Sequence, residues 1–155
     1  MAGLFYKAEI VAVSITTTPT TSDIIECLTG ATNPITIHRI ELTSKSVQTT
    51  EQYNIQLIKR ATTGSGGSAG TVVAQMDLNT RSAALTTTLG RTTTVGTAST
   101  VYNQWDWNIV IPFDEMNGKA ALEIEIPAAT RFSIFLNGQT VGTRVFNGAI
   151  FFEER

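Results

Sequence analysis

The chain is poor in the residues from which most active sites are made. It has one cysteine, one histidine and four prolines among 155 residues, and only 15% of its residues are charged. A lone Cys27 excludes an internal disulfide, which suits assembly in a reducing compartment. With His38 as the single histidine and one distant cysteine, a transition-metal site lacks ligands. The net charge is −2 and no run of Lys or Arg reaches three residues, so neither nucleic acid nor an acidic membrane face is an expected partner. Long apolar runs are also missing. The opening stretch, MAGLFYKAEIVAVSITTTP, has no basic start and is broken by Lys7 and Glu9, so it reads as neither signal peptide nor membrane span. Ala and Leu never combine with Glu and Lys at helical spacing, and no helix is expected.

Threonine is abundant, with 26 residues in clusters such as ITTTPTTS and LTTTLGRTTTVGT. Its β-branched carbon suits pleated backbone, and its hydroxyl can face water. Hydrophobic residues make up 42% and are spread over the whole length, which argues against disorder. A chain of this length buries about two-thirds of its unfolded surface and folds without staples. The expectation is one β-sandwich domain over residues 1–155.

Short alternating runs mark the strands. KAEIVAVSI places Ile10 and Ala12 on one face and Val11, Val13 and Ile15 on the other, as in a strand covered on both sides. DIIECL is shorter and stops at Gly30. In NPITIHRIEL the apolar parity changes from Ile35 and Ile37 to Ile40 and Leu42, which predicts a bulge near His38. QYNIQLIKR alternates through Tyr53, Ile55 and Leu57. TVVAQM and SAALTTT are weaker strands, and residues 89–99 read as a loop or an edge strand. NQWDWNIVIP places Trp105, Trp107, Ile109 and Ile111 on one face. AALEIEIP turns Leu122, Ile124 and Ile126 inward, and RFSIFL does the same with Phe132, Ile134 and Leu136. Asn137-Gly138 has the composition of a two-residue hairpin turn, and TRVFNGAIFFEER reads as a closing strand interrupted by Asn147-Gly148. These runs predict an all-β, antiparallel two-sheet sandwich of jelly-roll form, with a closed β-barrel as the alternative.

Candidate chemistry is sparse. The glycines of RATTGSGGSAGTVVAQMD lead to Thr71 without the lysine of a P-loop, and no helix follows to receive a pyrophosphate. They read as a mobile hairpin tip. His38 reads as a surface or half-buried histidine. Cys27 as a nucleophile needs a neighbouring base and an orienting group, and apolar flanks make it a core residue. Glu123 and Glu125 lie about 7 Å apart along one strand face, the solvated side rather than two acids flanking a scissile bond. Asp114-Glu115 and Glu153-Glu154 read as loop and terminal charges. Trp105 and Trp107 could stack on a sugar or a base, but Ile109 and Ile111 continue their face, which favours core packing. No catalytic, cofactor-binding or metal residue is assigned, and no cofactor is expected.

The order of features carries a resemblance. IQLIKRATTG is followed by the GSGGSAGT loop, a polar Thr/Ala tract, WDWNIVIPFDE, GKAALEIEIP and GAIFFEER. From about Gln52 to Arg155 this resembles small tailed-phage virion structural proteins of the head-decoration kind. The resemblance implies a non-enzymatic capsid decoration, or cement, protein in the virion, assembled in the host cytoplasm. It also implies a homo-oligomer, commonly a trimer, bound to the major capsid protein, with no nucleic acid and no membrane. A Thr-rich surface of low charge suits a flat protein contact, because little charge is desolvated. The apolar MAGLFY is either a docking arm or ordinary strand. The alternative function is a jelly-roll receptor-binding or carbohydrate-binding module of a tail or fibre, which calls for exposed tryptophan.

Overall fold

A strand with alternating apolar side chains buries one face, so it needs a second sheet to cover that face. The computed structural model describes residues 3–15, 21–45, 52–75, 81–91, 94–116, 123–137 and 143–155. Among them are twelve strands and no helix: β1 (Leu4–Ile15), β2 (Thr21–Leu28), β3 (Ile35–Ser44), β4 (Gln52–Arg60), β5 (Ser68–Ala69), β6 (Thr71–Ala74), β7 (Thr86–Arg91), β8 (Ala98–Asn108), β9 (Phe113–Met116), β10 (Ile124–Ile126), β11 (Arg131–Asn137) and β12 (Arg144–Glu154). They form two antiparallel sheets. The first runs β10-β3-β12-β1-β6, with β9 beside β3, and the second runs β5-β7-β2-β11-β4-β8.

The chain is a ribbon doubled back on itself. β1 pairs with β12, β2 with β11, β3 with β10, and β4 with β8. Successive members of this ribbon alternate between the sheets, which gives two interleaved four-stranded sets in jelly-roll order. The expected sandwich is therefore the fold, and the sheets do not close into a barrel. The strands between β4 and β8 extend the margins: β6 lies beside β1, β7 beside β2, and β5 beside β7.

Between the sheets the alternation becomes a core. Tyr6, Ile10, Ile37, Ile40, Phe146 and Phe152 face Ile25, Tyr53, Leu57, Phe132, Ile134 and Leu136, all buried. Aromatic rings cross the gap. Trp107 of β8 meets Phe146 of β12 at 6.0 Å and Phe113 of β9 at 6.2 Å between centroids. Its indole N–H donates to the Ile111 carbonyl at 2.6 Å, so the polar end of the ring is satisfied inside the core.

The bulge expected in β3 is present. The β12 register passes from Arg39↔Phe151 to Ile37↔Phe152, leaving His38 as the extra residue. A second bulge was hidden by apolar side chains. β1 slips against β12 between Ile10 and Val13, Ala12 takes φ +51°, and Val11 is 61% exposed. β1 therefore buries one face on each side of a kink and is not covered on both faces. Asn147 Oδ1 accepts the Ala12 N–H at 2.9 Å, and a Cβ on neighbouring Gly148 would run into the Glu41 carbonyl oxygen. The Asn-Gly pair in the closing strand thus serves the bulge and does not interrupt β12.

Other expectations need correction. Asn137 ends β11, but β11 and β12 lie in different sheets, so no two-residue hairpin joins them; Gly138 lies outside the described residues, as does Leu122. β7 begins only at Thr86 and continues through residue 91, with Leu89 packed against the core. Asp114 and Glu115 belong to β9 rather than a loop. The apolar face of NQWDWNIVIP ends early. β8 stops at Asn108, whose carbonyl accepts the Ile111 N–H at 3.0 Å, and this turn leaves Ile111 62% exposed while Trp107 is 3% exposed.

Trp107 and Ile111 should therefore respond differently to truncation. Trp107→Ala is expected to cost about 3–5 kcal/mol, whereas Ile111→Ala should stay within about 0.5 kcal/mol. Urea unfolding of the two variants checks this, and equal losses would mean that the chain does not turn after Asn108.

Candidate functional site

The most highly organised group of polar side chains lies on the outer face of the second sheet. Along β11, Phe132, Ile134 and Leu136 point to the core, which turns Ser133, Phe135 and Asn137 outward. The register sets Ser133 beside Glu26 of β2 and Ile58 of β4, and Phe135 beside Asp23. Asp23, Glu26, Arg60 and Ser133 are all buried, at 0%, 2%, 4% and 0% exposure. Charges on an outer face are buried only if something covers them.

The cover is the glycine-containing loop. Ala61 N–H donates to the Thr97 carbonyl at 2.8 Å and Ser65 N–H to the Thr94 carbonyl at 2.9 Å, so residues 61–65 and 94–97 run side by side over the sheet. Gly96 permits the close approach, since a Cβ there would strike the Thr62 carbonyl oxygen. From the covering loop, Gly64 N–H donates to Glu26 Oε2 at 2.9 Å and the Thr63 hydroxyl to Glu26 Oε1 at 3.1 Å. The loop is not the mobile hairpin tip the sequence suggested. β4 pairs with β11 and β8, β5 pairs with β7, and the intervening residues are fastened by carboxylate and backbone bonds. Gly64 N–H, the group an anion would need, is already bonded to Glu26.

Arg60 holds the group together. Its Nη2 donates to Asp23 Oδ1 in an ion pair, its Nε donates to Ser133 Oγ at 2.9 Å, and its Nη1 donates to the Gly96 carbonyl at 2.9 Å. The guanidinium also lies 4.7 Å from the centre of the Phe135 ring. The Ser133 hydroxyl donates to Asp23 Oδ1 at 2.8 Å, and Arg131 reaches Glu26 at 3.2 Å. Burial raises the Asp23 carboxyl above its ordinary 3.8, against the opposing pull of Arg60. Asp23 Oδ2 is buried without a hydrogen bond among the described residues. Chemically this is a clamp: Ser133 is sealed from solvent and hydrogen-bonded to a carboxylate, with no histidine to activate it.

The residues singled out from the sequence lie elsewhere and do not converge. Cys27 is fully buried on the inner side of β2, and burial pushes its thiol far above the ordinary range, which removes its nucleophilicity. His38 is half-buried on β3 of the other sheet, between Glu123 at 3.4 Å and Glu153 at 3.5 Å. Each imidazole nitrogen faces a different carboxylate, and among the described residues no three His, Cys, Asp or Glu side chains are grouped to hold a metal ion. Glu125 is exposed and pairs with Arg155 at 3.1 Å. Glu154, expected as a terminal charge, is 1% exposed and accepts Ala84 N–H at 2.8 Å, with Arg81 at 3.2 Å. Trp107 is core, and Trp105 is half-buried with its ring 5.6 Å from Phe113. Leu4, Phe5 and Tyr6 of MAGLFY are strand residues of β1.

Sequence reasoning missed the clamp because its members come from four segments: Asp23 and Glu26 from β2, Arg60 from β4, Gly96 from the covering segment and Ser133 from β11. One signal was available: DIIECL carries two acids in a run otherwise apolar enough to be interior.

Compared with protein-family models, curated proteins and solved structures, the chain matches none.

The clamp makes stability depend on pH in a defined direction. A carboxyl whose folded value is raised stabilises the fold fully below its unfolded value and loses that contribution as pH rises through the folded value. Arg60→Met removes the opposing charge, so Asp23 must hold its proton to stay buried. The variant is expected to lose about 3–5 kcal/mol at neutral pH and distinctly less near the ordinary carboxyl value of 3.8. Denaturant midpoints at neutral and acidic pH decide this; the same loss at both would show that Asp23 is not the responsible group.

Proposed function

We propose that this chain is a non-catalytic structural protein of a phage virion, a capsid decoration or cement protein that oligomerises on the head, bound to the major capsid protein, and stabilises the shell. The observation that carries the reading is the amide patch that β4 and β8 expose on the outer face of the second sheet, beside the covered Asp23–Glu26–Arg60 clamp. On the first sheet the outward residues form ion pairs: Lys7 with Glu9 at 2.9 Å, and Arg39 with Asp114 at 2.8 Å. On the second, β4 and β8 present Asn54, Gln56, Gln104 and Asp106 as two hydrogen-bonded rungs, Asn54–Asp106 at 3.1 Å and Gln56–Gln104 at 3.3 Å. Asp106 is the single charge in that group.

Burying amides against amides exchanges one set of hydrogen bonds for another, whereas burying an unpaired charge costs several kcal/mol. An amide face of this kind fits a protein surface. A stable contact removes about 800 Å² from each partner, and many copies bound to one lattice hold the folded, assembled state by mass action. The resemblance of residues 52–155 to head-decoration proteins points the same way, and their usual trimer is the oligomer expected of this chain. The receptor-binding or carbohydrate-binding alternative asks for exposed indoles, and nothing about Trp105 or Trp107 favours it.

Copy number tests the reading. Quantitative mass spectrometry of purified particles, referenced to the major shell protein, is expected to give a number of copies comparable to the shell lattice. A handful of copies would move the chain to a tail or fibre, and absence from the particle would end the virion reading.

A further inference from the structure

The sheet edges differ in how they are guarded. A row of unpaired N–H and C=O groups accepts a further strand unless the edge is short, charged, bulged or covered. β5, β6, β9 and β10 offer only two, four, four and three residues. β8 offers eleven. Its first half is guarded, because the register with β4 slips twice and leaves Ser99 and Tyr102 unmatched, and such bulges twist an edge away from a partner. Its second half is less guarded: bonds within the chain take Gln104 N–H, through Asn103 Oδ1, and the Asn108 carbonyl, through Ile111 N–H, and leave the Asp106 backbone groups. From Asn103 to Asn108 the register with β4 is unbroken, and the segment has no lysine and no proline.

The direction of the backbone groups follows from one bond. Gln104 N–H donates to Asn103 Oδ1 at 2.8 Å, so it points away from β4. Alternation in an antiparallel ladder then turns the N–H and C=O of Asp106 to the same open side, and among the described residues no strand pairs there. On the adjoining face, the Gln56–Gln104 and Asn54–Asp106 rungs end at β8, with side-chain groups that a further strand can continue.

We propose that the Asn103–Asn108 edge of β8 docks an extended segment of the shell protein, which joins the second sheet as an added strand. Its side chains continue the amide rungs, and a basic residue or an amide, not an acid, faces Asp106. Main-chain bonds supply the affinity of such an addition and the alternating side chains supply its selectivity. This assignment rests on the decoration reading.

Co-sedimentation of the purified full chain with shells depleted of it tests the assignment. Gln104→Lys sets a charge on the edge, and Asp106→Pro removes an outward N–H and the side-chain rung to Asn54 while sparing the backbone bonds to β4, a placement that edge strands accept. Val73→Lys on β6 is the control edge. The wild type and the Val73 variant are expected to bind, and both β8 variants to lose at least about tenfold in affinity with an unchanged thermal midpoint. Should the proline variant melt early, Gln104→Lys, an exposed substitution, decides alone. If the wild type does not sediment with shells, the decoration reading falls and the docking edge with it. If the wild type and both variants bind equally, decoration stands and the docking edge is wrong. A change of oligomer mass in the variants with shell binding intact would identify the occupant as a second copy and overturn the assignment.

Discussion

A guanidinium removed from water must find acceptors for its nitrogens, and meeting that requirement at Arg60 organises half of the molecule. The Asp23 carboxylate comes from β2, the Ser133 hydroxyl from β11, and the Gly96 carbonyl from the segment leading into β8. Three strands and a covering loop are set by one side chain. The penalty for leaving a buried charge unpaired, several kcal/mol, far exceeds the net worth of an ordinary hydrogen bond, about 1 kcal/mol. The loop therefore stays down because lifting it would take the Gly96 carbonyl from Arg60 and the Gly64 N–H and Thr63 hydroxyl from Glu26. A loop that looks flexible by composition is fixed by electrostatics beneath it.

The doubled ribbon imposes a second constraint. β1 lies between β12 and β6, so the first strand gains one of its two neighbours only from the last segment of the chain. Pairings of such sequence separation must overcome loop-closure entropy before they contribute, which places the fold among the slower topologies. The tryptophan seam works within this frame. Trp107 spans from β8 to Phe146 on β12 and so registers one sheet against the other.

The part of the fold legible in the sequence was whatever one face of one strand determines. Phe132, Ile134 and Leu136 announce β11, and the parity change from Ile37 to Ile40 announces the bulge at His38, since polar residues marked the other face. The matching bulge in β1 was masked because Val11 and Ala12 are themselves apolar, so the slip looked like a strand covered on both sides. Ile111 misled for a related reason: alternation cannot report a turn made by residues of the right polarity. Asn137-Gly138 carried local turn chemistry, but the strands it connects belong to different sheets, a property of topology alone. The clamp was out of reach because Asp23, Arg60, Gly96 and Ser133 meet only after the ribbon has doubled back and the loop has closed.

The pairing of Leu4 with Glu154 has a consequence for the way the molecule can be rewired. Directly opposed residues in an antiparallel pair sit about 5 Å apart, so a linker of a few residues could join the two ends of the ribbon without disturbing either sheet. The chain would then be a closed circuit, free to be reopened elsewhere, and cargo fused to either end would leave from the same corner of the sandwich.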